Sequence, residues 1–307
     1  MGRREKATVH GWLVLDKPAG LTSTEAVSRA RRLFGTRKAG HAGTLDPLAS
    51  GCLPIAFGEA TKTVPYVVDG EKAYRFAVKW GEETSTDDTE GEITATSELR
   101  PTDDEIDREL PDFIGIVDQV PPQFSAVKVD GARAYDLARE GEVLDLRSRQ
   151  VEILTLERTG PTADGVTEFH CECGKGTYVR AIARDLGRKL GCRGHVVALR
   201  RLRVGPFAES DMISLARLEE LRHSAGGQED LAASLRPVET ALDDIPALAV
   251  TASDAARLRN GQSVLLRGRD APVLEGLVYA TSGERLVALA EAERGELHPK
   301  RVFNLPG

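Results

Sequence analysis

The chain has 307 residues, 41% hydrophobic and 29% charged, with a formal net charge of −7. That is enough for one large domain or two with an ordinary core, and the balance excludes disordered and fibrous classes. The longest apolar runs, such as WLVL at 12–15, are far too short to span a bilayer, and no signal-peptide core follows the basic start MGRREK. A cytoplasmic protein without membrane association is expected.

GWLVLDKPAG (11–20) reads as a strand running into a Pro-Gly turn. LTSTEAVSRARRLFG (21–35) reads as a helix, with Thr22 and Glu25 as a capping box, Val27, Ala30, Leu33 and Phe34 as its apolar face, and Gly35 ending it. The loop AGHAGTLDPLASGCLP (39–54) follows. YRFAVKWG (74–81) alternates, so Tyr74, Phe76, Val78 and Trp80 share one face of a half-buried strand. EETSTDDTEGE (82–92) reads as a long solvated acidic loop. Residues 101–115 look helical, and 120–142 begin with a Pro-Pro turn and end in a short helix.

RQVEILTLE (149–157) and GVTEFHCEC (165–173) are two more strands. GKGT (174–177) lacks the frame of a phosphate-binding P-loop and turns into a helix. Its apolar stripe is Val179, Ile182, Ala183, Leu186 and Leu190, with Arg180, Arg184 and Arg188 as a basic ridge. The polar stretch HSAGGQEDLAAS (223–234) and DDIP (243–246) mark the linkage between two domains, 1–240 and 241–307. The second holds a short capped helix, a hairpin turning at TSGE (281–284) and a last strand near 297–306, the pattern of a small β-barrel module.

Cys171, Cys173, Cys192 and His195 invite a zinc site, but Cys-x-Cys followed by a lone distant Cys matches none of the paired-ligand spacings. Cys171 and Cys173 share a strand face with Phe169, which suits core thiols, and no metal is expected. Charge is unevenly placed. Residues 175–203 carry nine Lys/Arg against one acid, 29–38 carry five with no acid, and 82–118 carry fourteen acids against two Arg. Two basic segments beside small-residue loops point to a polyanion, although solvated helix faces would give the same counts.

Asp46 is the carboxylate in the stiffest setting, with Pro47 after it and Gly40, Gly43 and Gly51 around it. Pro keeps the residue before it out of the helical region. An Asx turn serving its own loop is the plain reading, and a fixed nucleophilic carboxylate the sharper one. Singly, His41, Tyr74 and Arg180 read as a bonded histidine, a core tyrosine and a solvated arginine.

Together they read differently. GHAGTLDPLASGCLPIAFGEATK (40–62) resembles the signature loop of the TruB family of tRNA pseudouridine-55 synthases. LVLDKPAGLTS, YRFAVKWGEETSTDD, PPQFSAVKVDGARAYDLAREG, CGKGTYVRAIARDLG and GHVVALRRLRVG resemble its other motifs in order, over almost the whole chain. Ala42 and Trp80 stand where many relatives carry Thr and Leu.

The resemblance implies an α+β pseudouridine synthase fold. It would have a mixed, largely antiparallel sheet with flanking helices, a thumb insertion at about 120–150, and a C-terminal PUA domain. It implies Asp46 as nucleophile, Tyr74 as the ring that stacks on the target uracil and serves as base, and Arg180 as the ion-pair partner of Asp46. Tyr178 and Leu199 would line the pocket, His41 would help extract the uridine, and Lys17 would be a structural or RNA-side contact.

The reaction it implies needs an ionised carboxylate, which a guanidinium alongside favours, and no redox change, so no cofactor is expected. Taking a base out of its stack costs a few kcal/mol, and stacking on an aromatic ring offsets it. The expected partner is the tRNA T-arm, held by the basic segments, with the protein acting as a monomer without protein partners. Two other readings remain: a protein that grips or folds tRNA with catalysis secondary, and an enzyme active only inside a guide-RNA particle.

Overall fold

The computed structural model describes residues 9–306, apart from 126, 130–131, 140–143 and 267–273. The basic start of the chain and parts of the expected thumb lie outside the described residues.

A ten-stranded sheet organises the larger part of the chain. In spatial order its main path runs Ile213–Ser214, Gly11–Lys17, Ser50–Phe57, Gly194–Val204, Lys72–Trp80, Val166–Cys173, Arg149–Arg158 and Gly115–Gln119. Ala39–His41 and Phe207–Ala208 pair off this path. Only the pairings of Gly11–Lys17 with Ile213–Ser214 and of Ser50–Phe57 with Gly194–Val204 are parallel. The mixed, mostly antiparallel α+β architecture expected from the sequence is therefore present.

Alternation places the core. Phe76, Val78 and Trp80 face Phe169, Cys171 and Cys173 of the neighbouring strand and Ile182 and Leu186 of the helix Val179–Lys189 in one buried cluster. Burying each large side chain is worth about 1.5–3 kcal/mol. Cys171 and Cys173 are free thiols buried beside Phe169, as their spacing indicated. The helix Ser23–Leu33 starts at the expected Thr22–Glu25 capping box.

Three boundaries differ from the sequence reading. The 101–115 helix stops at Glu109, continues as a short turn over Leu110–Phe113, and gives way to the edge strand Gly115–Gln119. Pro111 accounts for the break, since it cannot donate within a helix. The polar stretch at 223–234 is no linkage: it holds the helix Gln228–Ala233, and Leu231 is fully buried in the main core. One apolar residue anchors that segment, too little to give a visible stripe. The third, in the acidic stretch, belongs to the site.

The C-terminal part is a curled, half-barrel sheet of five strands, in the order Ala247–Ala249, Gly276–Ser282, Arg285–Glu293, Glu296–Val302 and Val264–Leu265. Ala255 and Leu258 of the helix Ala252–Arg259 cover its inner face. It shares a core with the larger sheet: Leu286, Leu289 and Phe303 pack with Trp12, Val14, Ala42, Cys52 and Ala56. Lys62 Nζ donates to the Val302 carbonyl at 2.7 Å, and Glu59 accepts from the Asn304 N–H at 2.8 Å.

Candidate active site

The loop 39–54 is pinned on several sides. Leu45 is held through both backbone groups by Ser23 Oγ, which accepts from its N–H and donates to its carbonyl, each at 2.9 Å. Pro47 is held by the Gly20 N–H, which donates to its carbonyl at 2.7 Å. Gly51 has φ +100°, and a Cβ there would lie 2.2 Å from the Arg201 carbonyl, so only glycine lets this strand run beside 194–204. Between these anchors Asp46 points out, its side chain 33% exposed.

Arg180 meets it. Its Nε is 2.9 Å from Asp46 Oδ2, its Nη1 donates to the Thr86 carbonyl at 2.9 Å and lies 3.4 Å from Asp88 Oδ2, and its Nη2 donates to the Phe124 carbonyl at 2.9 Å. Only 4% of Arg180 is exposed. The fork geometry of arginine thus spends four contacts on fixing one guanidinium against one half-open carboxylate. Tyr178 caps the helix that carries Arg180; its N–H donates to Gln119 Oε1 at 2.8 Å, and its ring packs on Val127, Ala134 and Leu146 of the thumb region.

The acidic loop is where the sequence reading fails. Instead of a solvated segment, Glu83, Thr84, Asp87 and Asp88 are buried. Strand Glu82–Thr84 pairs with Ile93–Thr96, and the loop between them lies on the arginine helix. Arg184 pairs with Asp87 at 2.9 Å and Arg188 with Glu83 at 2.6 Å. The expected basic ridge is therefore neutralised by acids of its own chain. Burial pushes the Asp87 carboxyl up to about 6, against the pull of Arg184 and Arg180. Asp88 also accepts from Thr86 Oγ1 and from the Glu90 N–H, which aims its other oxygen at Arg180. Asp88 was missed at sequence level, because nothing within a few residues of it signals the arginine helix it faces.

The same holds along 175–203. Lys175, Lys189, Arg193, Arg200 and Arg203 all pair with carboxylates, so of nine cations only Arg201 lacks one among the described residues. By contrast Arg31, Arg32 and Arg37 are exposed, line one hollow with Gly35 and Thr36, and pair with no described carboxylate. They stand at the end of the helix that leads into strand Ala39–His41 and on to Asp46.

Tyr74 is half-buried on the strand Lys72–Trp80, packed against the main core. Burial pushes its phenol up to about 12, opposed by the Arg201 charge. A neutral phenol suits stacking; a base role would need its proton removed first. Leu199 is 7% exposed, opposite Phe76. His41 closes its short strand opposite Ile55, half-buried.

Lys17 is fully buried, which favours the structural one of its two expected roles. Its Nζ donates to the carbonyls of Leu21 at 2.6 Å, Pro18 at 3.0 Å and Pro47 at 3.4 Å, bracing the Asp46 loop from beneath. Burial lowers it to about 8, with the Asp46 charge opposing.

Among solved structures, the fold matches one titled Cbf5-Nop10-Gar1 complex, with a TM-score of 0.74 and 26% identity over 96% of this chain and 85% of that one. A second, titled as an H/ACA RNP bound to a substrate RNA containing 2′-deoxyuridine, matches at TM-score 0.74 and 25% identity, over 96% of this chain and 86% of that one. The fold is thus that of a pseudouridine synthase. Residues 31–179 match the N-terminal domain model of the TruB family pseudouridylate synthases, and residues 180–243 the tRNA pseudouridylate synthase B C-terminal domain model. A protein named tRNA pseudouridine synthase B from Rhodopseudomonas palustris is 64% identical over 99% of this chain and 84% of its own length. One of the same name from Caulobacter vibrioides is 56% identical over 99% of this chain and 100% of its own length. The chain belongs to the TruB family of pseudouridylate synthases.

Proposed function

We propose that this chain converts the uridine at T-loop position 55 of tRNA to pseudouridine, with Asp46 as the nucleophile and Arg180 as its counter-ion. The N1–C1′ bond breaks, the freed ring turns, and a C5–C1′ bond forms; the C5 proton leaves and N1 takes one up. Asp46 adds and departs, so the carboxylate is regenerated. Arg180 holds the carboxylate in place by their ion pair before and after.

The observation that carries this reading is the Asp46–Arg180–Asp88 chain: one half-open carboxylate held on a buried guanidinium that a second, buried carboxylate backs. A merely structural aspartate would turn its oxygens to its own loop. Tyr74 is proposed to stack on the flipped base, Tyr178 and Leu199 to wall the pocket, and His41 to help extract the uridine.

The phosphates would lie along Arg31, Arg32 and Arg37 rather than along the paired arginines of 180–188. The curled sheet of 241–307 is assigned PUA-like contact with RNA. The protein is taken to be cytoplasmic and to work as a monomer without a protein partner or cofactor.

The test is tritium release from tRNA carrying 5-tritiated uridine, measured with tRNA binding. Asp46→Asn should bind tRNA and release no tritium. Release that survives the change would remove Asp46 from its role, and an unaltered chain that binds without release would leave tRNA binding as the function. The purified chain should act on a bare T-arm hairpin; need for added protein or guide RNA would overturn the monomer assignment.

A further inference from the structure

Arg201 is the anomaly of the molecule. It is 2% exposed, and among the described residues no carboxylate lies within ion-pair distance of it, although the eight other cations between 175 and 203 each have one. A buried charge without a counter-ion costs several kcal/mol in desolvation. Such a violation of packing rules is expected where a site demands it.

What the guanidinium does is specific. Its Nη2 donates to the Gly43 carbonyl at 3.1 Å, its Nη1 to the Thr44 carbonyl at 3.2 Å, and its Nε to the Cys52 carbonyl at 2.7 Å. These carbonyls lie on both sides of Asp46 in sequence. On the neighbouring strand Arg201 stands directly opposite Tyr74, so the two side chains share one face of the sheet. One cation therefore joins the loop that presents the carboxylate to the strand that presents the ring. Gly43 has φ +96°, a backbone conformation that favours glycine, and it is from this residue that Nη2 takes its carbonyl. From the other side Ser23 Oγ fixes both backbone groups of Leu45, and Ser23 itself is 3% exposed at the rigid, capped start of its helix.

We propose that Arg201 and Ser23 are positioning residues for the isomerisation. Arg201 sets the separation of Asp46 from Tyr74, and Ser23 fixes the backbone on which Asp46 sits. The inference rests on the assignment of Asp46 and Tyr74 made above. Neither residue reaches the surface that RNA would touch, so their loss should slow the chemistry without weakening RNA binding.

The experiment is single-turnover tritium release together with the tRNA Kd for Arg201→Lys and Ser23→Ala, each checked for folding by its thermal transition. Lysine keeps the charge but, as a single nitrogen, cannot reproduce the three-carbonyl fork. A misplacement of about 1 Å can cost on the order of 100-fold, so Arg201→Lys should slow the step by roughly 30-fold or more with Kd within about twofold. Ser23→Ala should slow it by about 10-fold with Kd unchanged, the loss of two hydrogen bonds to one residue.

A rate within about threefold of the unaltered chain for either folded variant, or a loss that appears in Kd rather than in rate, would overturn the proposal. If Arg201→Lys does not fold, Ser23→Ala decides alone. Asp46→Asn separates the two failures: if it retains release, the underlying assignment is wrong, and if it is inactive while Arg201→Lys and Ser23→Ala are fast, only the positioning role is wrong.

Discussion

Replacing Arg31, Arg32 and Arg37 together with glutamine tests where the RNA backbone lies. All three are exposed and lack a described carboxylate partner, so each is free to neutralise a phosphate. Each such contact contributes about 0.7–0.9 to the slope of log K against log salt, through release of condensed counter-ions. Three contacts over a rise from about 50 to 200 mM salt therefore account for about 20- to 40-fold of the affinity lost by the unaltered chain. The triple variant should bind tRNA more weakly at low salt and lose that much less on the same rise. Fluorescence anisotropy of labelled tRNA across the range measures it.

The control is Arg188→Gln with Lys189→Gln, because those cations already face Glu83, Glu109 and Asp112 and release few counter-ions on binding. Its slope should match that of the unaltered chain. An unchanged slope in the triple variant, or a reduced one in the control, would refute the reasoning and return the phosphates to the arginine helix.

Asp88→Asn keeps the shape of the buried group but removes the charge 3.4 Å behind Arg180, and taking the partner from a buried polar group costs about 1–3 kcal/mol, more where it is charged. Single-turnover tritium release should fall by about 10- to 100-fold with tRNA binding retained; a rate equal to that of the unaltered chain would show that Arg180 needs only its two carbonyl partners. Asp87→Asn tests burial in the same loop. Burial pushes the folded Asp87 carboxyl up to about 6 from its ordinary 3.8, so the folded state holds its proton more tightly and stability from this group falls as pH rises through about 6. The variant cannot ionise, and Arg184 keeps Asp185 at 2.8 Å, so urea unfolding should show the stability difference moving in the variant's favour by up to about 3 kcal/mol between about pH 4 and pH 7.5. A difference that stays flat would mean that Arg184 fully offsets the burial.

The parts of this molecule that were legible from sequence are those whose signal is local. The capping box at Thr22 and Glu25, the alternation of Phe76, Val78 and Trp80, and the shared face of Phe169, Cys171 and Cys173 each follow from periodicity within a few residues. The setting of Asp46 was legible for the same reason, since Gly and Pro constrain backbone whatever surrounds them. The environment of the charges was not. Arg180, Arg184 and Arg188 do form one ridge, as their spacing required, yet nothing local distinguishes a ridge facing solvent from one facing Asp88, Asp87 and Glu83 some ninety to a hundred positions away.

That blind spot bears on how the site works. Had the arginine helix been the RNA-facing surface, Arg180 would have had to choose between phosphate and Asp46, and every passing polyanion would have competed with the carboxylate for its counter-ion. Clothing the helix in the chain's own acids removes that competition. Arg180 is left 4% exposed, with ion pairs to Asp46 and Asp88 and hydrogen bonds to two carbonyls, while cations without a described carboxylate partner stand apart at 31, 32 and 37. On the proposed function the acidic stretch would then favour an RNA partner: it insulates the Asp46–Arg180 pair from phosphates that the separate basic surface would attract.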